Sequence, residues 1–318
     1  MTHAVTIPVA PAQPVTVDRE SRRLGFRLTL PAQILVLFIS VFPLLMQLYI
    51  SVTDWSPLDG VGWWDAWRSW NTFANYADLM SDNRFWAALG RTALVMVVCV
   101  PVEFLLGFAL ALLFMDDFRG KRVFYSILLM PMMVVPAVAG YMFFMLFQSG
   151  GPVNDIISRL TGTTVTLAWL SSPEWALLAV IIADIWQWTP LMFLILLAGL
   201  QAIPKDLYEA AEMDGTRPAR VFWRITLPLL MPNLLVVFVL VLIRAVQIFD
   251  EIYVLTGGGP GTSTLYLTQY IYETGFATQL RNPGLAAAAS ILMGAVLIVL
   301  TLIQLGLSRS GDKKRART

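Results

Sequence analysis

The sequence predicts an all-α polytopic membrane protein with six transmembrane helices and both termini on the cytoplasmic side. Three observations predict it. First, 57% of the 318 residues are hydrophobic and 14% are charged, with a mean hydropathy of +0.68, whereas a soluble domain has about a quarter of its residues charged. Second, six apolar runs reach the roughly 20 residues that cross a hydrocarbon core of about 30 Å. Third, the Lys and Arg between those runs fall mostly into alternate connections, as the positive-inside rule requires.

In chain order, residues 1–27 form a leader with several prolines and little periodicity, expected to be disordered and cytoplasmic. The first apolar run, within residues 28–52, is long enough to span and is followed by no small-x-small cleavage site, so it is expected to stay as a helix. Residues 53–90 make a periplasmic loop with Trp55, Trp63, Trp64, Trp67 and Trp70. Those rings suit an interfacial belt, with sugar or partner contact as the alternative.

Residues 91–308 form a five-helix core, with further spans near Thr92 to Met115, Val123 to Phe147, Trp175 to Leu200, Leu234 to Leu255 and Leu285 to Leu307. Pro101, Pro131, Pro136 and Pro190 lie inside these spans, and Pro43 inside the first; bilayer helices tolerate them with local kinks. Gly107 with Ala111, and the alanines at 286–289, fit close helix packing. Residues 309–318 are a basic cytoplasmic tail. With the N-terminus inside, sixteen Lys and Arg lie in inner segments and five in outer ones, with Arg244 in a span.

Composition also excludes chemistry. The net charge of +1 offers nucleic acid no electrostatic footing. The single cysteine, Cys99, has no disulfide partner, and the single histidine, His3, sits in the leader, so neither a Cys/His metal site nor a Cys–His nucleophile can be assembled. The glycine-rich stretch from Gly257 to Gly261 has no Gly-Lys-Ser/Thr after it and reads as a flexible outer loop, not a phosphate cradle.

The segment from residue 201 to residue 228 is the informative one. Asp206 and Glu209 have the spacing of a capping box, Gly215 suits the left-handed position that ends a helix, and Thr216 with Pro218 suits the start of a second. Pro228 and Pro232 are expected to break the chain before the next span. The result is a stiff elbow between two spans, offering the carboxylates of Glu209, Glu212 and Asp214 and the small side chains of Ala210 and Ala211.

Glu209-Ala210-Ala211, Asp214-Gly215, and Ile225, Leu227 and Pro228 resemble the "EAA" loop of permeases in binding-protein-dependent ABC importers, the MetI-like type I fold. The run Ile185 to Pro190 leading to Gly199 to Pro204, and the run Phe249 to Thr264 with Tyr270 and Tyr272, are similar to the carbohydrate branch, of the maltose/lactose/glycerol-phosphate first-permease type. The resemblance covers roughly Arg91 to Leu307. It implies that the elbow inserts into a cleft of an ATPase subunit, with Glu209 and Asp214 as polar contacts, Ala210 and Ala211 as the packing surface and Gly215 as the turn. It also implies a heterodimer with a second related permease, two ATPase subunits that bind ATP and Mg, and a periplasmic or extracytoplasmic solute-binding protein. No cofactor is expected on this chain itself; membrane lipid is a further expected partner, and nucleic acid is not.

Glu103, Asp184 and Arg244 lie inside spans, where a charge costs at least about 2 to 3 kcal/mol. They either face protein or a water-filled path, or pair with one another or with a second permease for packing alone. Residue chemistry favours Gln187, Trp188, Arg244, Gln247 and Asp250 for the substrate path, because planar amides, carboxylates and aromatic faces suit sugars. The solute is expected to be an oligosaccharide, monosaccharide, polyol, glycerol phosphate or sulfonated sugar. An ion-coupled secondary transporter is the alternative; it predicts inverted-repeat symmetry, which is not evident. An intramembrane enzyme is disfavoured by the lack of His-Glu-x-x-His and Gly-x-Ser-x-Gly motifs.

Overall fold

The computed structural model describes residues 19–277 and 281–315. In chain order the helices are α1 (Arg19–Ser51), α2 (Ala74–Ser81), α3 (Asn83–Leu113), α4 (Lys121–Met133), α5 (Pro136–Leu146), α6 (Pro152–Thr161), α7 (Pro173–Gln201), α8 (Lys205–Met213), α9 (Pro218–Val221), α10 (Leu227–Gln247), α11 (Asp250–Leu255), α12 (Leu267–Tyr272) and α13 (Pro283–Arg315). Among the described residues the only β pairing is an isolated bridge between Thr53 and Trp70.

Among the described residues, four helices are long and apolar enough to cross a membrane: Phe26–Ser51, Asn83–Leu113, Pro173–Gln201 and Pro283–Gly306. A fifth crossing is possible if the bent pair α4 and α5 counts as one span. The expected count of six spans is therefore not confirmed among the described residues. α1 begins at Arg19, ahead of the expected boundary at 28, while residues 1–18 of the expected leader lie outside the described residues. From Phe26 to Leu45 its side chains are exposed all round the helix, the pattern of a helix that faces lipid or a partner. α13 continues to Arg315, so helix also covers most of the expected basic tail.

α3 and α7 pack along each other through small residues. A side chain on Gly107 would sit 2.6 Å from Met192 Cβ, and Ala111, Ala179 and Ala183 are fully buried. Around this pair lie two apolar clusters, one with Ala111, Phe114, Phe193, Leu196, Leu197, Leu200 and Leu230 and one with Val100, Met192, Val237 and Val241. A third cluster joins Leu79, Phe85 and Tyr270 to Ala288 and Ala289 of α13.

Two of the expected spans are broken. Val123 to Phe147 divides into α4 and α5, which meet at 97°. Val134 and Val135 are extended there, and Pro136 starts α5. A proline forces the residue before it out of the helical region and is itself at home at a helix start, so a break costs less than a kink. Leu234 to Leu255 divides into α10 and α11, with Ile248 extended between them. The carbonyls freed by the two breaks find donors. Gln187 Nε2 donates to Val134 O at 2.9 Å, and the Thr268 hydroxyl donates to Ile248 O. α5 and α11 then pack closely, the absent side chain of Gly140 leaving room for the Glu251 backbone.

The Gly257 to Gly261 loop, expected to be flexible, is closed on itself. Thr256 and Thr264 share a hydroxyl hydrogen bond of 2.7 Å, and Thr264 Oγ1 donates to Gly259 O at 2.8 Å.

Candidate functional site

The elbow after α7 is built from α8, a turn, α9 and a wide helical turn over Phe222–Thr226 that leads into α10. Pro204, not Asp206, occupies the cap position of α8 and makes no side-chain cap, so the expected capping box is absent. Asp206 instead lies in the first turn, where its charge complements the helix dipole. The far end matches expectation: Gly215 has φ +66°, Gly215 N donates to Glu212 O at 2.9 Å and Thr216 N donates to Ala211 O at 3.0 Å. That pair of bonds is the Schellman closure, and it needs a residue at ease with positive φ. Arg217, not Thr216, precedes α9, with Pro218 in its first turn.

Pro228 does not break the chain. The backbone stays helical because Leu227 N donates to Phe222 O, one residue further back than in an α-helix. This widened turn lies just before Pro228, the residue that has no amide to donate.

On the elbow, Glu209, Ala210, Asp214 and Gly215 are exposed, whereas Ala211 is buried and Ile225, Leu227 and Pro228 are half-buried. Only Ala210 of the two alanines therefore faces outward. Sequence reasoning missed Met213 and Trp223, which are 89% and 65% exposed and add apolar surface to the same elbow. It also missed the Tyr208–Thr226 hydroxyl contact of 3.2 Å that ties α8 to the widened turn. A cavity of about 530 Å³ lies between the elbow and the end of α3, lined by Leu112, Met115, Asp116, Tyr208, Glu212 and Phe222 among others. The basic groups around Arg119 to Arg122 and around Lys205 to Arg224 thus belong to the same end of the molecule. There the Lys121 ammonium, 2.9 Å from Asp117, holds that carboxyl below the ordinary carboxylate range.

A second cavity, of about 350 Å³, opens where the two broken spans meet. Pro136 from one break and Ile248, Phe249, Asp250 and Glu251 from the other line it, with Trp188, Leu240, Ile243, Arg244 and Gln247. Irregular backbone at membrane depth is tolerated where it is enclosed by protein or borders a water-filled space. Four of the five residues expected on the substrate path, Trp188, Arg244, Gln247 and Asp250, come together here. The fifth does not: Gln187 is buried, and its amide serves the Val134 carbonyl.

Arg244 is held from behind. Its Nη1 donates to Asp184 Oδ1 at 2.7 Å and its Nη2 to Glu103 Oε1 at 2.9 Å. Its guanidinium lies 4.5 Å from the Trp188 ring centroid, a cation–π distance. The intramembrane charges of α3, α7 and α10 therefore pair with one another. No group of three or more His, Cys, Asp or Glu is placed to hold a metal among the described residues.

Residues 103–311 match the family described as binding-protein-dependent transport system inner membrane component. The chain is 35% identical to the sulfoquinovosyl glycerol transport system permease protein SmoG of Agrobacterium fabrum, over 93% of this chain and 94% of that protein. It is 36% identical to the trehalose/maltose transport system permease protein MalF of Thermococcus litoralis, over 90% of this chain and 94% of that protein. In fold it is similar to a chain of a bacterial ABC transporter involved in the import of alginate, with a TM-score of 0.76 at 22% identity, over 92% of this chain and 96% of that chain. These matches extend the resemblance read from the elbow to nearly the whole chain. The chain belongs to the inner-membrane components of binding-protein-dependent transport systems: it is a multi-pass permease subunit of an ABC importer, and not an enzyme.

Proposed function

We propose that this chain forms half of the translocation path of an ABC sugar importer, with the cavity between the broken spans as its share of the solute site and the elbow at α8 as the part gripped by an ATPase. A second related permease completes the path. Two ATPase subunits, which hold ATP and Mg, drive it from the cytosol, and a solute-binding protein delivers solute from outside.

One observation supports this reading above the others: both helices that leave the elbow reach the walls of the cavity. α7 holds Trp188 on one wall and ends at Gln201, just before α8. α10 starts at Leu227, just after the widened turn, and holds Arg244 and Gln247 on the other wall. The elbow and cavity are thus roughly 20 to 25 Å apart along either helix at 1.5 Å rise per residue. Movement of the elbow reaches both walls without passing through a flexible joint.

The solute class is supported by the lining, which pairs an indole face with amide and carboxylate groups suited to hydroxyl-rich rings. The relatives' own names agree: they specify sulfoquinovosyl glycerol, trehalose/maltose and trehalose. The test is to replace Glu209 with Lys and Gly215 with Val separately, then measure sugar uptake and membrane insertion. Uptake should fall by about tenfold or more, the loss of a coupling free energy of about 1–3 kcal/mol, with insertion unchanged. Normal uptake by both variants would reject the assignment of the elbow.

A further inference from the structure

The cavity between the broken spans is continued by a run of aromatic rings. Phe249, one of its lining residues, is the first of four aromatic side chains in mutual contact. Its ring stacks on Tyr253 with centroids 5.2 Å apart and meets Tyr272 at 5.3 Å. Tyr253 and Tyr272 touch edge to face at 5.6 Å, and Tyr272 stacks on Phe276 at 6.0 Å. The set joins α11 to α12 and to the wide helical turn Glu273–Ala277. It lies beyond the end of α10 that is remote from the elbow. Its far end approaches the start of the last span, since Asn282 N, one residue before α13 begins, donates to Thr274 O at 3.0 Å.

These rings do not form a core. Tyr253, Tyr272 and Phe276 are exposed in the isolated chain, Phe276 to 67%. Nor is the surface one made for hydrocarbon. The exposed side chains of α13 from Val296 to Leu305 are all aliphatic, whereas here two of the exposed rings carry phenol hydroxyls and Gln247 and Asp250 are exposed beside them. Asp250 shares a face of α11 with Tyr253, three residues on, and a carboxylate turned toward lipid is expensive. Aromatic faces with polar groups at their rim suit a pyranose. The apolar C–H face of the sugar lies on the negative face of the ring, and its hydroxyls reach the amide, carboxylate and phenol groups alongside. The steps from Phe249 to Tyr272 and on to Phe276 give successive sugar units successive platforms.

We infer that Phe249, Tyr253, Tyr272 and Phe276 form an aromatic track that holds saccharide units between the cavity and the end of the molecule remote from the elbow, so that the importer takes chains of two or more sugar rings in preference to a single ring. The inference rests on the reading of this chain as a sugar permease and narrows it to oligosaccharides.

The test uses the complete importer, both permeases with their ATPases in lipid nanodiscs, without the solute-binding protein so that its own selectivity does not enter. It is titrated with glucose, maltose and maltotriose. Maltose and maltotriose should each bind at least about tenfold more tightly than glucose, the gain from one or two further ring contacts. Phe276→Ala should weaken maltotriose by about threefold to tenfold and leave glucose within about twofold of the parent. Phe276→Trp, which keeps an aromatic face, should restore maltotriose. If Phe276→Ala does not insert into the membrane, Tyr253→Ala reads the same ratio. Glucose bound as tightly as maltotriose by the unaltered complex overturns the inference, as does parental maltotriose affinity in Phe276→Ala. Equal weakening of all three sugars, with the second permease lost on purification, would make the rings a subunit contact and overturns it too. Those outcomes leave the sugar reading standing; failure of the unaltered complex to bind any of the three would sink that reading and this inference with it.

Discussion

Arg244 is the residue on which the interior charge balance turns. It donates to Asp184 and Glu103, both nearly inaccessible, so its removal leaves two carboxylates without their cation. Breaking a buried ion pair from one side costs about 3–5 kcal/mol, most of it the penalty on the partners left behind. Arg244→Ala should destabilise the purified complex by that order, seen as a lowered thermal midpoint. The combination of Arg244→Met, Glu103→Gln and Asp184→Asn should recover most of the loss, because no unpaired charge remains. A loss below about 1 kcal/mol in Arg244→Ala would show that the triad is not formed.

Gln187 makes the contrasting case. Its amide donates to the carbonyl freed at Val134, so Gln187→Leu should cost about 1–3 kcal/mol of stability while leaving the solute affinity of the surviving complex near that of the parent. A selective loss of affinity with unchanged stability would return Gln187 to the cavity wall. The sequence marked the intramembrane charges as expensive, but it could not pair them, since Arg244 lies 60 positions from Asp184 and 141 from Glu103. Gln187 could not be placed from the sequence for a related reason. A planar amide suits a sugar hydroxyl and an orphan backbone carbonyl equally well, and only the break in the neighbouring helix decides between them.

At the scale of elements, the structure depends on where helices stop. The prolines that mark possible interruptions are visible in the sequence, but their effect depends on position. Pro136 begins a helix after a 97° bend, Pro190 lies inside an unbroken α7, and Pro228 is accommodated after a widened turn. Periodicity cannot separate these outcomes, because all three lie in apolar surroundings. The break before α11 had no proline to announce it. By contrast, the end of α8 was legible to the residue, since few side chains tolerate the left-handed position that Gly215 occupies.

The contact of α5 with α11 holds the two breaks together and gives the cavity its shape. Gly140→Val should force the Glu251 backbone away and cost about 1–3 kcal/mol from overpacking alone. Uptake should fall more steeply than stability, because Glu251 and Asp250 move with α11. The comparison of thermal midpoint with uptake rate checks this, and a variant with parental values for both would mean that α5 and α11 do not pack as described.

For the whole molecule, one chain supplies part of a machine. α1 from Phe26 to Leu45 and much of the α13 surface from Val296 to Leu305 are apolar and exposed in the isolated chain, as expected of surfaces that meet lipid or a second permease. Family membership was readable from the elbow, where spacing, small residues and a turn glycine combine. The architecture of the cavity was not, because it arises from residues of α5, α7, α10 and α11 that no local pattern connects.

We propose that the elbow lies in the cytosol, where a motor subunit can grip it. Met213 is 89% exposed at the end of α8, and the single native cysteine, Cys99, is buried and gives a low background. In intact cells Met213→Cys should react with a membrane-permeant maleimide and resist an impermeant one until the membrane is opened. Labelling of Met213→Cys by the impermeant reagent in sealed cells would place the elbow on the outer face, out of reach of any cytosolic motor subunit.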